Sequence, residues 1–444
     1  MMPETGRRRH SRHPVRQTPS TADGRDTAAM RVAVMTAGSR GDVAPYTGLG
    51  HGLMRAGHEV TLVSHACFAP LAASAGLGFH AVPVDPRAEL ASARGQVMQR
   101  SVTDAGKLAR LVGLARAAVG RMSDDLLQAA QASDVVLVSG SLGPLGHTMA
   151  QGLGLPSMGV FLQPLAPTRE FPPPVTGTRS WGATGNRLAG RAVNAAVDRI
   201  FVDATRALRS RLGMPPAGSH AARRTRERGW PVFHGFSPQL VSRPRDWRPG
   251  LEITGYWWSH DPPRAELPTR LRDFLDAGPP PVFVGLGSAT VPEPERLSRA
   301  VVRALRAAGL RGVIQRGWAG LHADGDDVIT IDEVPHSLLF PRMAAIVHHA
   351  GAGTTAAALR AGVPAVPVPV QFDAAFWASR LAAVGVAPRP VPLRRLTSAA
   401  LAAALEEVTG EPLYARRART LSERIRSEDG VTPILSALDR LDRT

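Results

Sequence analysis

The stretch Ile346-Val347-His348-His349-Ala350-Gly351-Ala352-Gly353-Thr354-Thr355 decides how this 444-residue chain is read. A short apolar strand ends in two histidines, turns through two glycines and enters the run Ala356-Ala357-Ala358-Leu359 as a helix that starts with two hydroxyl residues. Such a turn points unpaired backbone N–H groups and the positive end of a helix at one spot, which suits a phosphate. Gly351 and Gly353 allow close backbone approach, and the hydroxyls of Thr354 and Thr355 add donors. The same residues also make an ordinary strand–helix connection in which the histidines close the strand. Taken alone they leave both readings open.

Working outward, the strand–helix rhythm recurs in both halves of the chain. Apolar, β-branched runs bounded by turn residues predict strands over 31–35, 59–63, 134–139 and 157–162, then over 281–284, 312–315, 328–331, 344–348 and 365–370. Tyr46, Leu49, Leu53 and Met54 recur at helical spacing, with Pro45 in the first turn and Gly57 at the end. Further helices are expected over 296–308 and about 191–212, and 412–444 reads as amphipathic helix. Units of this kind build parallel sheets. Each half opens with a strand that runs into a Gly/Ser-rich loop, 36–42 in the first and 285–288 in the second. The expected fold class is α/β: two Rossmann-like domains, parallel sheets flanked by helices, facing a cleft. The first domain is placed at 30–240 and the second at 263–444, joined by a Pro- and Trp-rich linker over 241–262.

Two segments break the rhythm. The loop 163–186, with Pro164, Pro167 and Pro172-Pro173-Pro174, is long for a compact domain, and loops of that length are functional or disordered. Residues 1–29 are expected to form a disordered, Arg-rich extension. No apolar segment follows Arg7-Arg8-Arg9, which argues against a secretory signal, and Met30 stands directly before the first strand as an alternative start.

Composition narrows the function classes. With 44% hydrophobic and 20% charged residues the chain reads as soluble and globular, without an apolar run long enough to span a bilayer. Its formal charge of +16 is carried almost wholly by arginine, Lys107 being the only lysine. A basic surface favours anionic small molecules, nucleic acid or an anionic membrane. The arginines are scattered and aromatics reach only 5%, too few for a base-stacking platform. No nucleic-acid partner is therefore expected, and a weak peripheral membrane contact stays open. A single cysteine, Cys67, excludes an intrachain disulfide framework and points to a reducing compartment, so the expected localisation is cytoplasmic. The histidines lack metal-ligand spacing, so no metal is assigned. Ser139 and Ser141 lack a nucleophile elbow, which removes a serine hydrolase.

Two motifs carry a family resemblance. Gly38-Ser39-Arg40-Gly41-Asp42-Val43-Ala44-Pro45, with Arg55-Ala56-Gly57-His58-Glu59-Val60, is similar to the amino-terminal signature of nucleotide-sugar glycosyltransferases. The subgroup it resembles glycosylates sterols, glycopeptides and other natural products. Val334-Pro335-His336, Phe340-Pro341-Arg342-Met343, His348 to Thr355, Arg360-Ala361-Gly362-Val363-Pro364 and Phe376-Trp377 resemble the donor-binding motif of the same family. The resemblance runs from Met30 to the carboxyl end, with the motifs in the family's order. It implies the GT-B fold, with the acceptor bound mainly by the first domain and the nucleotide-sugar donor by the second. It further implies an inverting, metal-independent transfer of a hexose or deoxyhexose from UDP or TDP to a hydroxyl of a lipophilic small molecule, in natural-product biosynthesis. No cofactor is implied, because the nucleotide sugar is a substrate.

The resemblance also assigns roles. His349 meets the phosphate nearest the sugar, Gly351, Ala352, Gly353, Thr354 and Thr355 cradle the diphosphate, and Ser288 approaches it from the loop after the second domain's first strand. Val334 meets the base through its backbone, and Asp373 holds sugar hydroxyls. Ser288 fits a plain turn as well. Asp42 stands where this subgroup carries its catalytic aspartate, at the carboxyl end of the first strand. An Asp-x-x-Pro helix start equally fits a cap, so Asp42 reads as base or cap. An ordinary aspartate, with a pKa of about 3.9, is a weak base near neutral pH. His348, on the opposite face of its strand from His349, is expected to be structural.

Two departures stand out. Ala374 replaces the Gln that the family pairs with Asp373, and Ala357 replaces a ribose-binding glutamate of its plant branch. A deoxysugar would need fewer partners than a fully hydroxylated one. The loop 163–186, with Thr168-Arg169-Glu170-Phe171, is expected as acceptor wall or as surface loop. Two other functions fit the residues. One is a dinucleotide-dependent oxidoreductase, since Gly351-x-Gly353-x-x-Ala356 with Asp373 matches a loose G-x-G-x-x-A pattern. The other is a non-catalytic nucleotide-sugar-binding relative.

Overall fold

The structure is a computed structural model that describes residues 29–85, 104–262 and 264–441. All but the last residue of the expected extension 1–29 lies outside the described residues. Seven strands form the first sheet: β1 (Arg31–Met35), β2 (Glu59–His65), β3 (Gly78–Val82), β4 (Val135–Ser139), β5 (Ser157–Phe161), β6 (Val232–His234) and β7 (Leu251–Ile253). They pair in parallel in the order β3-β2-β1-β4-β5-β6-β7. Five more, β8 (Val282–Gly285), β9 (Gly312–Gln315), β10 (Val328–Ile331), β11 (Ala345–His348) and β12 (Ala365–Pro367), pair in parallel in the order β10-β9-β8-β11-β12.

Most central strands are buried along their whole length, as in β4 and β8, which is why they read as continuous Val-rich runs rather than alternating ones. Both faces must then be covered by helices, and the sequence between strands supplies them. In each sheet the chain order reverses beside the first strand, between β1 and β4 and between β8 and β11. Ligands of open parallel sheets bind at the carboxyl ends of the strands at such reversals. The glycine turn after β11 and the loop after β1 both lie there.

The two sheets do not stand apart. One buried cluster runs from Met35, Leu145 and Phe236 of the first domain to Leu359, Phe376, Trp377 and Ile425 of the second. The carboxyl end also crosses over. What reads as one amphipathic helix is two, Pro412–Arg426 and Thr432–Leu441. The second places Ile434, Ala437 and Leu438 in a core with Val32, Leu53 and Leu62 of the first domain. The expected linker 241–262 is only partly a linker, because β7 within it completes the first sheet. Trp257 from the same stretch donates its indole N–H to Gly430 O at 2.8 Å, fastening the crossing segment. The helix expected near 191 begins earlier, as Gly182–Arg211, since Gly182 and Gly185 had read as loop.

Leu438 is fully buried, and truncating a buried leucine typically costs about 2–5 kcal/mol. Leu438→Ala is expected to lower unfolding free energy by that amount, read from urea denaturation against the unaltered chain. A surface-like cost of about 0.5 kcal/mol or less would contradict the docking of the last helix.

Candidate functional site

The first wall of the site is the turn after β1. Ser39 caps the helix Arg40–Arg55, and Asp42 occupies its third position. Asp42 Oδ2 accepts from Ser39 N at 2.9 Å and from Ser39 Oγ at 3.0 Å. Thr36 Oγ1 donates to Asp42 O at 2.8 Å, and Gly38 N donates to His65 Nε2 at 3.0 Å. Gly38 sits at φ 142°, and a Cβ there would come within 2.5 Å of the Asp42 carboxylate, so only glycine fits beneath it. Both hydrogen bonds to Asp42 fall on Oδ2. Oδ1 has no protein partner among the described residues. The cap and base readings are therefore compatible, each using its own oxygen. Burial pushes the Asp42 carboxyl above its usual range, the Ser39 bonds oppose this, and the nearby charge of Asp373 adds to the rise. A raised pKa makes a better proton acceptor.

The second wall joins the ends of β8 and β11, which pair with His348 opposite Gly285. The His349 ring lies between two glycine loops: a Cβ on Gly287 would meet its Cε1 at 2.7 Å, and a Cβ on Gly351 would press on its Nε2. His349 Nδ1 is buried without a partner, while His348 is wholly buried and its Nδ1 accepts from Ala350 N at 3.1 Å. Gly351 caps the helix Ala352–Ala361, which has no acid in its first turn. Thr355 N bonds back to Gly351 O, whereas the amides of Ala352, Gly353 and Thr354 find no acceptor among the described residues. Three donors thus point out of a helix start that carries positive potential. Thr354 is half-buried at this mouth. Thr355 is fully buried with its hydroxyl unpartnered.

The other expected residues surround this point. Ser288 is half-buried in the loop after β8. Val334 packs its side chain into a core with Leu339 and Phe340, and its backbone N–H and C=O make no hydrogen bond among the described residues. Asp373 begins the helix Ala374–Ala383 and accepts from Trp377 Nε1 at 2.7 Å. Burial raises its carboxyl, opposed by the Trp377 indole, its own backbone and the Gln163 side chain from the first domain. Ala350 and Phe372, at φ 60° and 52°, are the non-glycine residues at positive φ among those described. One lies inside the glycine turn and the other precedes Asp373, and strain of this kind collects at functional sites.

The two walls touch. A Cβ on Gly353 would lie 3.6 Å from Gly41 Cα, so the helix starts Arg40 and Ala352 face each other across the domain boundary. Arg40 Nε reaches Glu333 Oε1 at 2.7 Å beside Val334. The sequence offered no sign of this bridge, nor of the His65 anchor, because both depend on which loops the fold brings together. A cavity of about 450 Å³ runs from Gly140 past Phe161 and Phe171 to Trp230 and Trp247. Ser141 Oγ, next to Gly140, donates to Ala37 O at 2.9 Å. Prolines 164, 167 and 172–174 form one wall of it, so the proline-rich loop is part of a cavity and not a free surface loop.

Burial holds three histidines neutral here: His349 and His336 fall to about 4 and His348 to about 3, with the charge of Arg40 helping at His336. As pH drops below about 6.5 the unfolded chain binds protons at these rings and the folded chain does not. Stability therefore falls between pH 6.5 and about 4 and is recovered on raising pH through that window. Asp42 and Asp373 act in the opposite sense just above 3.8, because their folded forms hold the proton more tightly. The melting temperature is expected to drop from pH 7 to pH 5, and His349→Gln is expected to lose less over the same step. An equal drop in both proteins would contradict a neutral His349.

Comparison with known proteins identifies the family and the fold. Residues 32–143 match the glycosyltransferase family 28 N-terminal domain, and 315–441 match the erythromycin biosynthesis protein CIII-like, C-terminal domain. The chain is 36% identical to O-mycaminosyltylonolide 6-deoxyallosyltransferase of Streptomyces fradiae, over 90% of this chain and 95% of that protein. It is 32% identical to a sterol 3-beta-glucosyltransferase of Arabidopsis thaliana, over 92% of this chain but only 65% of that longer protein. Among solved structures it resembles the glycosyltransferase SsfS6 of Streptomyces sp. SF2575 complexed with thymidine diphosphate, with a TM-score of 0.62, 20% identity, and coverage of 93% of this chain and 99% of that one. That likeness shows the fold, GT-B. The chain belongs to the GT-B glycosyltransferases that join a family 28 amino-terminal domain to an erythromycin CIII-like carboxyl-terminal domain.

Proposed function

We propose that this glycosyltransferase is inverting and metal-independent, and moves a hexose or deoxyhexose from a TDP or UDP sugar to a hydroxyl of a lipophilic small molecule in cytoplasmic natural-product biosynthesis. The contact between the two helix starts at Gly41 and Gly353 carries the reading. One start already has its anion, Asp42, while the other offers three unpaired amides and no acid. A diphosphate supplies the missing negative charge.

In this reading the acceptor lies in the cavity with its hydroxyl at Asp42 Oδ1. The hydroxyl oxygen bonds to the anomeric carbon as the carbon–oxygen bond to the diphosphate breaks on the opposite face, and Asp42 takes the proton. Charge growing on the leaving diphosphate is met by the amides of 352–354, the Thr354 hydroxyl and the neutral His349 imidazole, an effect worth a few kcal/mol per donor. Ser288 borders the same phosphates. The free carbonyl and amide of Val334 suit the base, and Asp373 meets sugar hydroxyls. The thymidine diphosphate complex of SsfS6 and the deoxyallosyl donor in the name of the Streptomyces fradiae relative favour TDP and a deoxysugar. A dinucleotide enzyme fits less well: the glycine turn follows β11, the fourth strand of its domain, where dinucleotide sites use the first.

Thermal shifts with TDP, UDP and NAD test the donor. A ligand at 100 times its Kd adds about 2.7 kcal/mol. TDP or UDP is expected to raise the melting temperature, and a rise with NAD alone would overturn the reading. Asp42→Asn is expected to cut kcat by about a hundredfold or more while TDP affinity stays within about threefold. Unchanged kcat would leave Asp42 as a cap only.

A further inference from the structure

The cavity that begins at Gly140 has apolar walls but an unbalanced charge. Five arginines and three carboxylates line it among the described residues. Asp198, 4% exposed on the helix Gly182–Arg211, accepts from Arg223 Nη1 at 3.0 Å and from Arg226 Nη2 at 2.5 Å. The two guanidinium side chains are only 15% and 13% exposed, and one carboxylate serves both. Glu227 stands 3.8 Å from Arg223 Nε and is 42% exposed, so it screens Arg223 weakly and does not reach Arg226.

The remaining charges on the lining do not correct this. Asp246 is committed to the Thr168 hydroxyl at 2.6 Å and the Arg169 amide at 3.0 Å, with Arg187 at 3.8 Å. Arg248 spends its donors on the carbonyls of Glu227, Trp230 and Pro249. Burial keeps His234, on the same lining, neutral. A guanidinium has five N–H donors, and Arg226 uses one on Asp198 and no other protein acceptor among the described residues. Burying a cation against an apolar cavity without a full counter-charge is unfavourable, and a carboxylate offered in bidentate geometry is its best complement.

We propose that the acceptor is a lipophilic carboxylic acid whose carboxylate binds Arg226 and Arg223 inside the cavity. The inference rests on the cavity being the acceptor site, and it narrows the acceptor from lipophilic to amphiphilic and anionic. The carboxylate is a recognition group and takes no part in bond making. It closes the charge balance of the Asp198 cluster, and the apolar body of the acceptor fills the space between Phe161, Phe171 and Trp247.

Calorimetric titration of the full chain with dodecanoate, methyl dodecanoate and dodecan-1-ol tests this. Dodecanoate is expected to bind at least tenfold tighter than the ester and the alcohol. Arg226→Met leaves Asp198 paired one-to-one with Arg223 and is expected to abolish that preference. Asn194→Asp, which places a protein carboxylate one helical turn before Asp198 on the cavity side, is expected to abolish it with no loss of melting temperature. Equal affinity for acid and ester in the unaltered chain, or an undiminished preference in both variants, would overturn the proposal. TDP binding is measured on the same samples. TDP binding without acid preference overturns the anionic subsite alone, and acid preference without TDP or UDP binding overturns the proposed donor while the acid-binding cavity stands.

Discussion

Two helix starts that face each other across a domain boundary create the constraint on which the rest depends. Helix amino termini carry positive potential and unpaired amides, so bringing two together is unfavourable until negative charge lies between them. Asp42 supplies part of that charge from within the first helix. The second helix supplies none, and its glycines let the chain pass close enough to present amides rather than side chains. The site is therefore a shape waiting for an anion. The charge of Asp373, from the second domain, adds to the burial that raises the proton affinity of Asp42 in the first.

Holding such walls in register takes more than a hinge. The carboxyl-terminal helix leaves the second domain and packs into the core of the first. Ser237 Oγ donates to Glu428 Oε1 at 2.6 Å, and the Arg360 guanidinium lies 4.6 Å from the ring centre of Trp258. Arg40 and Glu333 make a further bridge between the domains, where both are exposed enough for salt to compete with it. The buried fastenings set the relative position of the domains, and the exposed one lies at their mouth beside Val334. Among the described residues no helix is long and apolar enough to cross a membrane.

Much of this was legible in the chain. Buried parallel strands announce themselves as apolar runs, so β1, β2, β4, β5 and the five strands of the second sheet stand out, as do the two glycine turns at their ends. The strands β3, β6 and β7 were not legible: Gly78-Phe79-His80-Ala81-Val82 is only partly buried, and the other two are three-residue pieces between proline and glycine residues. Pairing of non-adjacent segments is equally silent: nothing in a linear string says that Thr432–Leu441 docks against β1 rather than its own domain. The glycine turn and Asp42 could be singled out because their chemistry is local. His65, Arg40 with Glu333, and the Asp198 cluster could not, because each acts through a partner far along the chain. Thr355 could be singled out by the motif, but its full burial with an unpartnered hydroxyl could not be read from the sequence.

The central claim is that attack comes from the Asp42 side while the diphosphate leaves from the Gly351–Thr355 side. The most direct measurement follows the sugar released from TDP-α-D-glucose by slow hydrolysis, using proton NMR before the anomers equilibrate. The account predicts β-glucose as the first product. Initial release of α-glucose would contradict it, because the nucleophile and leaving group would then share one face of the sugar.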